Sequence, residues 1–167
     1  MSQKTKEITY GAMIAAAYVA LSYLQNALIP NSTSFAIQFR VAEALCVLAL
    51  FTPAAIGGLS VGCFLFNLSN AGALPLDVAV GTLATALAAW GMYASRRLTV
   101  KGYPVLAMLL PAVSNAVFVG GELAFYIGGG FFLNAFYVAV GELAVLLTLG
   151  TALFYSLKSK GLSRFFD

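Results

Sequence analysis

The sequence contains no histidine and few charged residues. Of its 167 residues, nine are Lys or Arg and six are Asp or Glu, so 9% are charged while 61% are hydrophobic. Soluble domains carry roughly 25% charged residues, so the chain has no room for a soluble catalytic domain. The lack of histidine removes the commonest proton shuttle and metal ligand. The composition predicts an integral membrane protein that is not an enzyme and has no metal site.

Motifs for nucleotides and cofactors are missing as well. No Gly-x-x-x-x-Gly-Lys-Ser/Thr phosphate loop occurs, so another chain must bind ATP if ATP drives this protein. The two cysteines, Cys46 and Cys63, lie in apolar runs without the paired spacing of a metal or disulfide site, and we expect them to be packing residues. We expect no cofactor and no nucleic-acid partner.

Six apolar runs divide the chain, and a straight transmembrane helix needs about 20 such residues. Thr52-Pro53 separates the second run from the third, because proline disfavours a continuous helix. The first run is too long for the apolar core of a signal peptide, and we interpret it as a span. The sequence predicts a single all-α domain, 1–167, with six transmembrane helices at roughly 8–29, 36–51, 54–70, 75–95, 103–127 and 131–157.

The basic residues indicate how these spans are oriented, because loops on the cytoplasmic side of a membrane are enriched in Lys and Arg. With six spans, all but one of the nine lie on the side that holds both termini, and the exception is Arg40. The pattern predicts that both termini are cytoplasmic. The eight residues are Lys4, Lys6, Arg96, Arg97, Lys101, Lys158, Lys160 and Arg164.

Polar residues inside the spans all fall in the outer half of the membrane or near its middle. A charge there costs roughly 2.5–3.5 kcal/mol, so such groups are retained where they are paired or meet a ligand. One alternative is a structural ion pair between Arg40 and Glu43, three residues apart. The restriction of these polar residues to the outer half and the middle of the membrane favours a polar cavity open to the outside. Its residues would be Arg40, Glu43, Asn67, Asp77, Asn115, Glu122, Asn134 and Glu142.

The residue types in this set suggest the chemistry of a ligand. Four acids face one base, which favours a cationic or donor-rich molecule. A carboxylate matches an N–H beside an exocyclic NH₂, as on a guanine-like edge. Aromatic residues at the same depth, including Phe39 and Tyr137, are candidates to stack on a flat ring, with lipid contact or packing as the alternative for each.

Small residues recur every fourth position on three of the predicted spans, a pattern that allows close helix approach in lipid. We expect internal packing for the third and fifth spans. On the first span a partner surface and internal packing are equally compatible with the spacing, since we expect no polar site residue there. The residues of that stripe are Ala12, Ala16 and Ala20.

An ordered set of segments covers nearly the whole chain. The segments are 37–45 (IQFRVAEAL), 51–56 (FTPAAI), 76–78 (LDV), 81–85 (GTLAT), 114–116 (SNA), 121–124 (GELA) and 137–143 (YVAVGEL). Taken together they resemble the QueT family, whose members are substrate-binding S-components of energy-coupling factor (ECF) transporters, assigned to queuosine precursors.

The resemblance implies a six-helix subunit of the bacterial plasma membrane with an outer substrate pocket and a lid at about 30–38. It implies that Ala12, Ala16 and Ala20 dock on a transmembrane coupling protein, which works with two ATPase subunits. The implied cargo is queuine, queuosine or a 7-deazaguanine precursor with an aminomethyl group.

For that cargo, we assign Glu43 or Glu142 to the base edge and Glu122 or Asp77 to the amine. Arg40, Asn67 and Asn115 supply further polar contacts in this interpretation. The alternatives are an S-component for another vitamin, a stand-alone proton-coupled carrier, and a membrane scaffold with only structural ion pairs.

Overall fold

The chain is all-helical in the computed structural model, which describes residues 2–30, 32 and 39–159. The first helix begins after Ser2, whose hydroxyl accepts a hydrogen bond from the Thr5 amide at 3.2 Å and so caps the helix. The helices are α1 (Gln3–Leu28), a 3₁₀ helix (Val41–Leu50), α2 (Ala54–Ser69), α3 (Asp77–Ser95), α4 (Val105–Tyr126), α5 (Phe131–Val145), a π turn (Leu146–Gly150) and α6 (Thr151–Ser159).

Four helical rods are long and apolar enough to cross a membrane. Three of them are α1, α3 and α4, and the fourth is the continuous rod Phe131–Ser159, formed by α5, the π turn and α6. The 3₁₀ helix and α2 are shorter apolar helices. The all-helical fold predicted from the sequence is therefore confirmed for the described residues, and the four long apolar helices are consistent with a membrane protein. The count of six crossings and the cytoplasmic location of the termini stay predictions.

The second predicted span differs most from its expected form. Instead of a helix over 36–51, the described residues form a ten-residue 3₁₀ helix, and residues 36–38 lie outside the described part. A 3₁₀ helix rises about 2.0 Å per residue, so these ten residues extend about as far as 13 residues of α-helix at roughly 1.5 Å each. Seven of the ten are buried, so this helix occupies the centre of the bundle.

The remaining helices surround this central element. In chain order, α1 packs on α2, α2 on α3, α3 on α4 and α4 on α5, while the 3₁₀ helix contacts α1, α3 and the π turn. The main core includes Tyr18, Cys46, Leu59, Met92 and Met108. The two cysteines are buried and unpaired by disulfide, as predicted.

Glycines set the closest approaches between helices. A Cβ added to Gly62 would lie 2.7 Å from the Tyr18 Cβ, and one added to Gly120 would lie 2.7 Å from the Ala135 Cα. The small-residue patterns of the third and fifth predicted spans therefore serve internal packing, as expected. Ala12, Ala16 and Ala20 are instead exposed, because α1 faces α2 with Gly11, Ala15 and Tyr18.

Candidate functional site

A buried polar cluster surrounds the 3₁₀ helix. Among the described residues, the buried charged side chains are Arg40, Glu43, Glu122 and Glu142, and Asp77 is half-buried at the start of α3. Three predicted amides are also buried, namely Asn67, Asn115 and Asn134. The tertiary structure brings most of these side chains into two groups, one around Arg40 and Glu43 and one between α4 and α5.

Arg40 stands immediately before the 3₁₀ helix and connects it to α2 and α3. Its Nη2 donates to the Asn67 Oδ1 at 3.0 Å, and the Asn67 Nδ2 donates to the Asp77 carbonyl oxygen at 2.9 Å. A Cβ on Gly81 would lie 2.7 Å from the Asn67 Nδ2 and 3.7 Å from the Arg40 Nη1. This glycine therefore leaves room for the polar side chains to meet.

Glu43 is fully buried, and both of its carboxylate oxygens accept hydrogen bonds. Oε1 accepts from the Tyr18 hydroxyl at 2.6 Å and from the Thr85 hydroxyl at 3.3 Å, while Oε2 accepts from the Cys46 thiol at 3.1 Å. Arg40 directs its hydrogen bonds to Asn67 and Cys63 instead. Within this first group, the direct Arg40–Glu43 bond considered from the sequence is therefore replaced by hydrogen bonds from each residue to different neighbours.

Helix α1 contributes polar residues that the sequence interpretation did not anticipate. Tyr18, Ser22 and Gln25 are all buried, so the expectation of no polar site residue on the first span was wrong. Their spacing of four and three residues places them on one helix face. This regular spacing, which continues from Ile14, is the feature of the sequence that could have predicted a buried polar face on α1.

Gln25 ties α1 to the connection that precedes the 3₁₀ helix. Its Nε2 donates to the Ser32 hydroxyl at 2.9 Å and to the Phe39 carbonyl oxygen, and its Oε1 accepts from the Val41 amide at 2.8 Å. Phe39 thus makes this contact through its backbone carbonyl group. Phe39 as a whole is 45% exposed. The predicted lid at about 30–38 lies largely outside the described residues.

The second group lies between α4 and α5. The Asn115 Nδ2 donates to the Glu142 Oε1 at 2.9 Å. Among the residues that the structure describes, four buried acceptor atoms have no hydrogen-bond partner: the Asn115 Oδ1, the Glu142 Oε2 and both carboxylate oxygens of Glu122. Glu122 lies within electrostatic range of Asp77, and Glu142 within range of Glu43. This arrangement concentrates acceptors and negative charge, and it suits a ligand that donates hydrogen bonds or carries positive charge.

Two further predicted site residues, Asn134 and Tyr137, lie on the first half of α5. Asn134 donates to the carbonyl oxygens of Gly128 and Gly130, at 2.7 and 2.9 Å, and so holds the turn before α5. The glycines of that turn have φ between +79° and +84°, a conformation that favours glycine. Tyr137 is half-buried, with its ring 6.1 Å from that of Phe136. Within the described residues, no three His, Cys, Asp or Glu side chains converge as metal ligands.

Tyr18→Phe tests the support of Glu43. We expect a loss of about 1–3 kcal/mol in the free energy of unfolding, because a buried carboxylate loses a donor. A lower melting temperature of the purified protein in detergent would show this. Tyr23→Phe on the same helix is the control, because its hydroxyl bonds to Ser69 at an exposed position. Equal shifts for the two variants would contradict the prediction.

Comparison with known proteins agrees with the membrane architecture. The family model described as QueT transporter matches residues 8–159, which include every residue of both polar groups. Comparisons with curated proteins and with solved structures gave no match. With nearly its whole length matched, the chain belongs to the QueT transporter family.

Proposed function

We propose that the chain is the substrate-binding S-component of an ECF-type importer and that its cargo is a queuosine precursor. The observation that carries this proposal is the set of buried acceptor atoms without partners on Asn115, Glu122 and Glu142. A buried acceptor without a hydrogen bond lowers the stability of the protein. A bound ligand that donates to it would remove this cost, so such atoms are expected in a substrate site.

The proposed cargo matches the acceptor character of the site. Queuine and the aminomethyl 7-deazaguanine precursor combine a planar base edge rich in N–H donors with an amine that is protonated at neutral pH. Glu43 and Glu142 are the candidates for the base edge, and Glu122 and Asp77 are the candidates for the amine. Further polar contacts to the ligand would come from Arg40, Asn67 and Asn115. Three more residues remain candidates for ligand contact near the outer side of the membrane, namely Phe39, Asn134 and Tyr137.

In the proposed topology, six segments cross the cell membrane and both termini are cytoplasmic. The distribution of basic residues supports this orientation. The start of the 3₁₀ helix and the Gly128–Gly130 turn are then on the outer side. A ligand would enter from that side, beneath a lid formed by the connection that Gln25 ties to α1.

The proposed partners are a transmembrane coupling protein and two ATPase subunits. The exposed Ala12, Ala16 and Ala20 form one stripe along α1, and small side chains allow another helix to approach closely. The surrounding membrane lipid covers this stripe when the subunit is alone.

Calorimetry with the purified chain in detergent tests the cargo. We expect saturable binding of queuine or the aminomethyl precursor with one site per chain, and much weaker binding of guanine, which has the base edge but no aminomethyl side chain. Tight binding of another vitamin, with none for the deazaguanines, would refute the cargo. Uptake into liposomes by this chain alone, driven by a pH gradient, would favour a proton-coupled carrier.

A further inference from the structure

The buried acids differ in how many hydrogen bonds their carboxylate oxygens accept from the rest of the protein. Both oxygens of Glu43 accept hydrogen bonds from Tyr18, Thr85 and Cys46. By contrast, one oxygen of Glu142 and both of Glu122 have no partner, although these residues are only 1% and 5% exposed. The protein therefore completes the hydrogen bonding of Glu43 and leaves that of Glu122 and Glu142 incomplete.

The incomplete groups share a single chemical character. Asn115 turns its amide nitrogen toward the Glu142 Oε1, at 2.9 Å, so its free atom is the carbonyl oxygen. Together with the free oxygens of Glu122 and Glu142, this makes four buried acceptor atoms without a partner among the described residues, against the one N–H of the Asn115 amide that does not bond to Glu142. We call Asn115, Glu122 and Glu142 the acceptor face.

The acceptor face is held in place by close helix packing. Asn115 and Glu122 are seven residues apart on α4, which puts them on the same side of the helix. Between them, Gly120 lets α4 approach α5 so closely that an added Cβ would lie 2.7 Å from the Ala135 Cα. The contact holds Glu142, on α5, within hydrogen-bonding distance of Asn115, and Glu122 lies two helical turns further along α4.

The two ends of the acceptor face have different electrostatic surroundings. Glu142 shares a hydrogen bond with Asn115 and therefore presents a carboxylate oxygen beside an amide oxygen, a pair suited to two neighbouring N–H groups. Each acid also lies within range of a second carboxylate, Glu142 of Glu43 and Glu122 of Asp77. Both oxygens of Glu43 already accept hydrogen bonds from the protein, whereas Asp77 is half-buried at the start of α3 and lies beside a Glu122 carboxylate that accepts no hydrogen bond among the described residues. Two nearby carboxylates favour a cation between them.

We propose that the acceptor face determines ligand specificity, with Glu142 and Asn115 taking two N–H donors of a planar edge and Glu122 taking an ammonium group. Glu43 is then a positioning residue that fixes the 3₁₀ helix to α1 and α3. This assignment rests on the proposed function and narrows the four candidate acids to two.

The decisive experiment compares two ligands that differ only at the proposed cationic end. The aminomethyl and cyano forms of 7-deazaguanine share one ring, but the nitrile carries no charge and no donor. For the wild-type protein we expect calorimetry to give at least about tenfold tighter binding of the aminomethyl form, as one charge-assisted hydrogen bond implies. In Glu122→Gln this preference should fall to about threefold or less.

Glu142→Gln should weaken the contact with the ring edge, which the two ligands share. We expect both affinities to fall by roughly tenfold, with the ratio between them kept, because both ligands present the same ring edge. Glu43→Gln should lower the melting temperature and also keep the ratio. Glu7→Gln, at an exposed position of α1, is the control for loss of one negative charge.

The outcomes separate this inference from the proposed function. If the wild-type protein binds both ligands and Glu122→Gln retains the full preference, the acceptor-face assignment is wrong while the cargo stands. If Glu43→Gln alone removes the preference, the assignment is also wrong. Binding of neither ligand by the wild-type protein refutes both proposals. Glu122 accepts no hydrogen bond among the described residues and lies near the like charge of Asp77. Glu122→Gln should therefore unfold at or above the wild-type temperature, and a large decrease would count against the assignment.

Discussion

Gly58→Ala is expected to destabilise the protein by about 1–3 kcal/mol, the usual cost of overpacking a close contact. The added Cβ would lie 2.6 Å from the Gly11 carbonyl oxygen and 3.0 Å from the Ile14 Cβ. Because the first of these is a backbone atom of α1, no side-chain rotation relieves the clash, and α1 and α2 must separate. The melting temperature of the purified protein in detergent measures the effect.

The neighbouring residue of the same helix provides a matched control. A Cβ on Gly57 would meet nothing within 4 Å. Gly57→Ala should therefore leave the melting temperature unchanged or raise it, since alanine favours a helix over glycine by roughly 1 kcal/mol. Similar decreases for both variants would show that the loss does not come from the α1–α2 contact, and no decrease for Gly58→Ala would show that this contact is looser than the structure indicates.

Ala16→Leu is expected to reduce ATP-dependent uptake by the assembled importer by about tenfold or more, because a larger side chain prevents close approach of a partner helix. Ligand binding by the isolated subunit should stay at the wild-type level, since Ala16 is exposed and lies outside both polar groups. Uptake into vesicles and calorimetry of the purified subunit provide the two measurements.

Ala152→Leu, at an exposed position on α6, is the control for added bulk in the membrane. We expect it to support normal uptake. Wild-type uptake by Ala16→Leu would remove the Ala12–Ala16–Ala20 stripe from consideration as the docking surface. Loss of ligand binding in the same variant would instead indicate a folding defect.

The location of Tyr18 shows what α1 adds to the buried polar cluster. Its Cβ lies against Gly62 of α2, and its hydroxyl holds Glu43 of the 3₁₀ helix. The exposed alanines lie on a different face of the same helix. One helix therefore carries both the proposed partner surface and a direct hydrogen bond to the buried acids.

Hydropathy and helix-breaking residues were enough to predict most helix positions. The predicted span at 54–70 corresponds to Ala54–Ser69, and the one at 75–95 to Asp77–Ser95. These boundaries depend on local features, namely apolar length and the breaks at Thr52-Pro53 and Asn70-Ala71-Gly72. The 3₁₀ form of Val41–Leu50 was not predictable in this way, because an apolar run has the same composition in either helix type.

The polar cluster was predictable as a set, since burying charge in a membrane segment is costly and each such residue is conspicuous in an apolar sequence. Which partner each residue takes was not predictable. Arg40 and Glu43 are three residues apart, yet Glu43 bonds to Tyr18 and Thr85, which are 25 and 42 residues away.

The sequence by itself determined that this protein is a helical membrane protein, where its helices break and which side chains are too polar to face lipid. These follow from composition and short-range pattern. Only the tertiary structure decided which buried acids accept hydrogen bonds from the protein and which keep carboxylate oxygens without a partner. That distinction depends on which helices pack together, since hydrogen-bond partners in this bundle come from residues far apart in the chain.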